Sequence, residues 1–131
     1  MATVLDLVKA SAIRLVQPVP SAAMSSTDPH VAQILAAMVT SADELLGRYP
    51  LKRQLFGGLW LRDKDGRSLS APNADTDTVL IDETLMRSSI IWRWRYTNGY
   101  DYAEEFRAAE ERLSILANDY TKAQRGGSIQ G

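Results

Sequence analysis

The sequence predicts a mainly α fold: a small bundle of about four helices with an inserted β-hairpin or extended arm and an extended C-terminal tail. Three observations predict it. Apolar residues recur at three- and four-residue intervals in four separate stretches. Prolines, glycines and capping residues stand at the edges of those stretches. Between the second and third stretch, over about residues 51–81, the helical period is lost. A chain of 131 residues suits one domain, helical over 1–120 and carrying the tail over 121–131.

The first helix is expected over about 3–17. Thr3 and Asp6 have the spacing of a capping box, and Val4, Leu5, Val8, Ala12, Leu15 and Val16 follow at helical intervals. Pro18 and Pro20 stop it, since proline lacks the amide hydrogen that the ladder needs. A polar linker over 18–28 leads to Asp28-Pro29, a carboxylate cap followed by proline at the first helical position. Val31, Ile34, Leu35, Met38, Ala42, Leu45, Leu46 and Tyr49 then form one stripe of a helix over about 29–48, ended by Pro50.

In the middle region, Gly57-Gly58 and Asp65-Gly66 are turn signals. Asp65-Gly66 can close a hairpin between about 59–63 and 67–70, and Val79–Ile81 can add a short strand. A region of this length without helical period is unusual in a compact domain, and such regions are often functional.

Asp82 caps a third helix over about 83–97. Leu85, Ser89, Trp92 and Tyr96 lie on one stripe, with Met86, Ile90, Ile91 and Trp94 beside it. Asn98-Gly99 stops this helix. Asp101, with Glu104 three residues on, starts a fourth. Its buried stripe is expected to be Tyr102, Phe106, Ala109, Leu113, Leu116 and Tyr120, and its wet face Glu104, Glu105, Arg107, Glu110, Glu111 and Arg112. The short connection makes the last two helices an antiparallel hairpin. From Thr121 the pattern is lost, and Arg125-Gly126-Gly127-Ser128 offers too little apolar surface to fold alone.

Composition removes several classes of chemistry. There are no cysteines, which excludes disulfides, thiolate nucleophiles and cysteine-based zinc sites. The net charge of −1 gives no bulk attraction to nucleic acid or an anionic membrane. Asp6 and Lys9 interrupt the first apolar stretch, so no secretory signal is expected, and no apolar run is long enough to span a bilayer. His30 is the sole histidine and reads as a solvated surface residue. No GxSxG elbow surrounds a serine, and Gly57-Gly58 is not followed by GK[ST]. Asp75, Asp77 and Asp82 could hold a divalent ion loosely, but the EF-hand spacing is absent. No catalytic residue, metal or cofactor is expected.

The run Ile91-Trp92-Arg93-Trp94-Arg95-Tyr96 admits two readings. Arginine with aromatics can stack on nucleic-acid bases. The favoured alternative places Trp92 and Tyr96 inward, Arg93 at the margin, and the aromatics, with Trp60 and Trp94, as core or inter-subunit anchors.

Two blocks, in this order and spacing, resemble the head-to-tail adaptor proteins (connector or head-completion proteins) of tailed bacteriophages. The first runs from Leu5 to Tyr49: a short helix, a PVPS break, an SSTDP cap and a long helix. The second runs from Leu80 to Asp119: a WRWR helix, a GYDYAEEF turn and a final acidic-basic helix. Together they cover about two-thirds of the chain. The resemblance implies a helical bundle assembled as a ring, commonly dodecameric, beneath the portal, without catalysis. It implies assembly in the host cytoplasm and residence at the neck of the virion. Its partners would be the portal protein, a downstream tail, stopper or nozzle protein, and further copies of itself. Genomic DNA would pass through the channel without sequence-specific binding. The C-terminal segment would dock on the portal, with Lys122 and Arg125 as charged contacts and Ile129 as the apolar anchor. The alternatives are another neck ring (stopper or tail-completion protein), a small DNA-binding regulator using the Trp92–Tyr96 helix with Arg87, Arg93 and Arg95 exposed, and an enzyme with a carboxylate-held metal.

Overall fold

Thr3 takes an extended conformation and caps α1 (Val4–Arg14) through a complete capping box. Its hydroxyl accepts from the Asp6 amide, and the Asp6 carboxylate accepts from the Thr3 amide, each at 3.1 Å. The helix buries Val4, Leu7, Val8, Ser11 and Ala12. It ends in a Schellman turn, with Gln17 N–H donating to the Ala12 carbonyl and Val16 N–H to that of Ile13. That turn forces Val16 to φ +56°, a left-handed conformation that crowds a β-branched side chain. The computed structural model describes the backbone of residues 1–130 and the side chains of residues 1–125.

The linker after α1 is tied down at both ends. His30 Nε2 lies 2.9 Å from the Pro18 carbonyl, so His30 is half-buried against the linker rather than freely solvated. The Asp75 carboxylate accepts from the amides of Ala23 and Met24. Asp28 occupies the N-cap of α2 (Pro29–Leu45), but its carboxylate makes no capping bond. The start is set instead by the fixed φ of Pro29 and by the Asp28 carbonyl, which accepts from Val31 and Ala32. A single turn, α3 (Leu51–Gln54), follows Pro50. It is too short to show a period in sequence.

The middle region forms β1 (Leu61–Arg62), β2 (Ser68–Leu69) and β3 (Thr78–Val79), an antiparallel sheet in the order β2-β1-β3. Leu61 pairs with Leu69 and Val79 on either side. The Asp65-Gly66 hairpin forms as expected, its tip held by the Asp63 carboxylate, which accepts from the amides of Asp65 and Arg67. The region is a hairpin laid on the body and not a projecting arm. Trp60, Leu61, Val79 and Ile81 are buried, and β3 is stitched to the N-terminus by Val79 N–H to the Ala2 carbonyl and Val4 N–H to the Asp77 carbonyl. Burial of Trp60, Leu61, Val79 and Ile81 draws the segment in, whereas Phe56 and Leu59 beside the Gly57-Gly58 turn stay exposed.

Helix α4 (Glu83–Thr97) starts at Asp82, whose carboxylate accepts from the Leu85 amide. It packs on α1, α2 and α5 at once. Leu85, Met86, Ser88, Ser89, Ile90, Ile91 and Trp94 are all buried, on more than one stripe. Tyr96, expected inward, is instead 64% exposed, because Trp94 takes the inward position in the last turns. Helix α5 (Ala103–Gln130) runs back antiparallel and does not stop at Tyr120. The expected extended tail over 121–131 is helical through Gln130. Ala123, Lys122 and Arg125 favour helix, no proline intervenes, and the Thr121 hydroxyl donates back to the Ala117 carbonyl. The side chain of Ile129 and residue Gly131 lie outside the described residues.

The strain at Val16 can be tested directly. The residue is exposed, so replacing it removes strain without opening a cavity. Val16→Gly is expected to stabilise the fold by about 1 kcal/mol, the left-handed penalty of a branched residue less the extra backbone entropy of glycine. A chemical-denaturation midpoint that falls would contradict the strain.

Candidate interaction surface

The wet face foreseen on α5 is where this helix is fastened to the rest of the molecule. Glu105 is buried and bonds the Arg14 guanidinium of α1. Glu110 takes a two-pronged bond from Arg48, at 2.7 and 2.8 Å, just after α2. Arg112 grips the Asp82 carboxylate at the start of α4, at 2.9 and 2.8 Å. Conversely, Tyr102 and Phe106, expected in the core, are more than one-third exposed. Among the described side chains of α5, Glu105, Ala109 and Leu113 form the buried stripe.

The Arg112–Asp82 and Arg48–Glu110 pairs shift the titration of their members. The hydrogen bonds from Arg112 hold Asp82 below the usual carboxylate value, against the opposing effect of burial. Those from Arg48 do the same to Glu110. Arg48 and Arg112 are pushed up by their carboxylates. Arg93 shifts the other way: burial lowers it, and the Glu44 carboxylate at 3.5 Å only partly restores it.

The aromatic anchors separate into two groups. Trp60 and Trp94 belong to the core. The Trp60 indole N–H donates to the Ser70 carbonyl at 2.9 Å, and Trp94 stacks on Tyr100 with rings 5.7 Å apart. Trp92 and Tyr96 belong to a surface. Trp92 is half-buried and meets Phe106 edge-on at 5.2 Å and Tyr102 at 5.9 Å, while Tyr96 meets Tyr102 at 5.3 Å. The Arg93 guanidinium lies over Trp92 at 4.4 Å. Beside them a groove of about 300 Å³ runs between α2 and α4, floored by Ala36 and Ala37. Sequence reasoning missed the groove because its two walls are distant in the chain.

No exposed basic stripe forms on α4. Arg87, Arg93 and Arg95 are half-buried, and Arg93, six residues after Arg87, falls about 120° round a 3.6-residue helix from it. Arg87 also faces Glu83 at 3.9 Å. The acidic residues considered for a metal are engaged with backbone. One oxygen of Asp77 accepts from Asn73 and Ala74, Asp75 holds the linker, and Asp82 caps α4. No cluster of metal-ligating side chains occurs among the described residues, and no helix there is long and apolar enough to cross a membrane.

A second aromatic site lies about two-thirds of the way along α5. Tyr49 bonds Thr121 at 2.7 Å and meets Tyr120 edge-on, and with Lys52, Arg53 and Phe56 these rings frame a notch of about 460 Å³. Past it, Lys122 and Arg125 stand exposed on the last described turns. No protein-family model matches this chain, and no curated protein or solved structure is significantly similar to it.

Two outcomes are expected. Trp94→Ala removes a ring that is 7% exposed and should cost about 3–5 kcal/mol in denaturant titrations. The lowered pKa values of Asp82 and Glu110 make the fold acid-labile. Their contribution is complete above the ordinary values of 3.8 and 4.5 and is lost as pH falls through the lower folded-state values. Melting temperature should therefore be level above that range and drop below it, with a shallower drop in Glu110→Gln.

Proposed function

We propose that the chain is a structural head-to-tail adaptor of a tailed phage, one subunit of a ring beneath the portal, acting in the neck of the virion without catalysis. The observation that carries the reading is the ordered pair of blocks, Leu5–Tyr49 and Leu80–Asp119, joined to the way they fold. The two blocks supply α1, α2, α4 and α5, which pack as a single bundle. The remaining middle region is an accessory hairpin on its flank.

The surface supports an assembly role. Exposed aromatic side chains gather near the start of α5 and again beside Tyr120, and patches of this kind mark protein contacts more often than solvent faces. Helix α5 has 28 residues against 15 in α4, so its last turns run beyond the bundle. Lys122 and Arg125 on those turns, with Ile129 further on, are the proposed portal contacts. They would dock as part of a projecting helix rather than as an unfolded tail. The near-neutral charge suits a channel wall along which DNA slides without sticking.

The test is to mix the purified protein with rings of the cognate portal and examine the product by electron microscopy. A second ring stacked on the portal is the expected result. A folded protein that leaves the portal bare would transfer the reading to a lower neck ring. Deleting 121–131 should leave the melting temperature within a few degrees of the parent while abolishing capture. Unchanged capture would place the docking contact elsewhere.

A further inference from the structure

We propose that the exposed turn between α4 and α5 of one copy docks into the notch between α3 and α5 of the next. The two surfaces are complementary in charge and kind. The notch presents Lys52 and Arg53 around the rings of Tyr49, Phe56 and Tyr120. Neither cation has an ion-pair partner among the described residues. Asp119, next to Tyr120, forms an ion pair with neither of them. Phe56 is 88% exposed, a large ring held in solvent on a loop whose next two residues, Gly57 and Gly58, both have positive φ. The turn presents Tyr100, Asp101, Tyr102 and Glu104, all exposed. Asp101 uses one oxygen to hold the Ala103 amide, and Glu104 has no cation against it among the described residues.

Distance makes the contact intermolecular. The turn opens α5 and the notch sits near Tyr120, 17 residues further, or about 26 Å along the helix. A copy cannot fill its own notch. Because the two surfaces differ, each copy offers one and receives the other. Such head-to-tail contacts propagate, and they close into a ring when the rotation per copy permits. The acidic-aromatic turn brings rings to the exposed Phe56 and carboxylates to the two cations. A polar rim around an aromatic centre is the usual anatomy of a specific interface.

The contact would join neighbouring copies of the proposed ring, and it rests on that reading for its meaning. Its test reads self-association alone, so a failed portal experiment and a failed contact remain distinguishable. The cysteine-free chain permits clean placement of single thiols. Full-length Phe56→Cys and Tyr100→Cys proteins are mixed and treated with a short bifunctional thiol reagent. Expected is a mixed product, joining position 56 of one copy to position 100 of another, that exceeds both like-with-like products by roughly tenfold. Adding Arg53→Glu to the first protein should abolish it, and adding Glu104→Lys to the second should restore it, with circular dichroism checking that each variant is folded. Equal or dominant like-with-like products would overturn the proposal, as would loss without restoration. So would an Arg53-dependent, salt-sensitive binding of single-stranded oligonucleotide that replaces the mixed product, since the notch would then serve nucleic acid.

Discussion

Helix α4 is buried at every position from Leu85 to Ile91 except Arg87, and the placement of α1, α2 and α5 answers that constraint. Leu85, Met86, Ile90 and Ile91 point in directions that no single neighbour could cover, so α2, α5 and α1 each take one side. Each of those side chains contributes about 1.5–3 kcal/mol when withdrawn from water. Small residues let the helices approach. Ser88 and Ser89 on α4 meet neighbours that carry Ala12, Ala37 and Ala42. The hairpin region closes the remaining gap near Trp60 and Ile81, and the N-terminus is bonded to β3 as a consequence.

Helix α5 is held differently. Its buried stripe is narrow, and three ion pairs reach it from α1, from the end of α2 and from the cap of α4. The two partly exposed pairs, Arg48–Glu110 and Arg112–Asp82, add about 0.2–1 kcal/mol each, so they do not replace the apolar contacts. Their effect is on register. With Arg14, Arg48 and Asp82 fixed on other elements, a slide of α5 by one turn would unpair all three. A helix so registered can carry its distal turns past the bundle in a defined direction.

The aromatic content is divided by this arrangement. Trp60 and Trp94 are consumed by the core, whereas Trp92, Tyr96, Tyr102 and Phe106 form one surface and Tyr49, Phe56 and Tyr120 another. The acidic turn and the basic notch stand at separate stations along α5. A molecule with unlike surfaces spaced along one rigid helix is suited to repeated head-to-tail contact. Of the half-buried arginines of α4, Arg93 covers the ring of Trp92.

What the sequence determined was local. Capping residues and breakers act through bonds to their own neighbours, so Thr3-Asp6 placed α1, Asp82 placed α4 and Asp65-Gly66 placed the hairpin from composition alone. The mainly α class with an inserted hairpin was legible for the same reason. Periodicity failed where burial departs from one face. On α4 the inward set is too broad to read as a stripe, so Tyr96 was assigned to the core that Trp94 occupies. On α5 the charges looked solvated because their partners, Arg14, Arg48 and Asp82, are between 30 and 91 residues away. The tail read as unstructured because it buries little, although continuity with the preceding turns extends the helix. The candidate surfaces share this character. Their rings were visible as letters, but only tertiary packing decided which were covered, because exposure depends on neighbours that are remote in the chain.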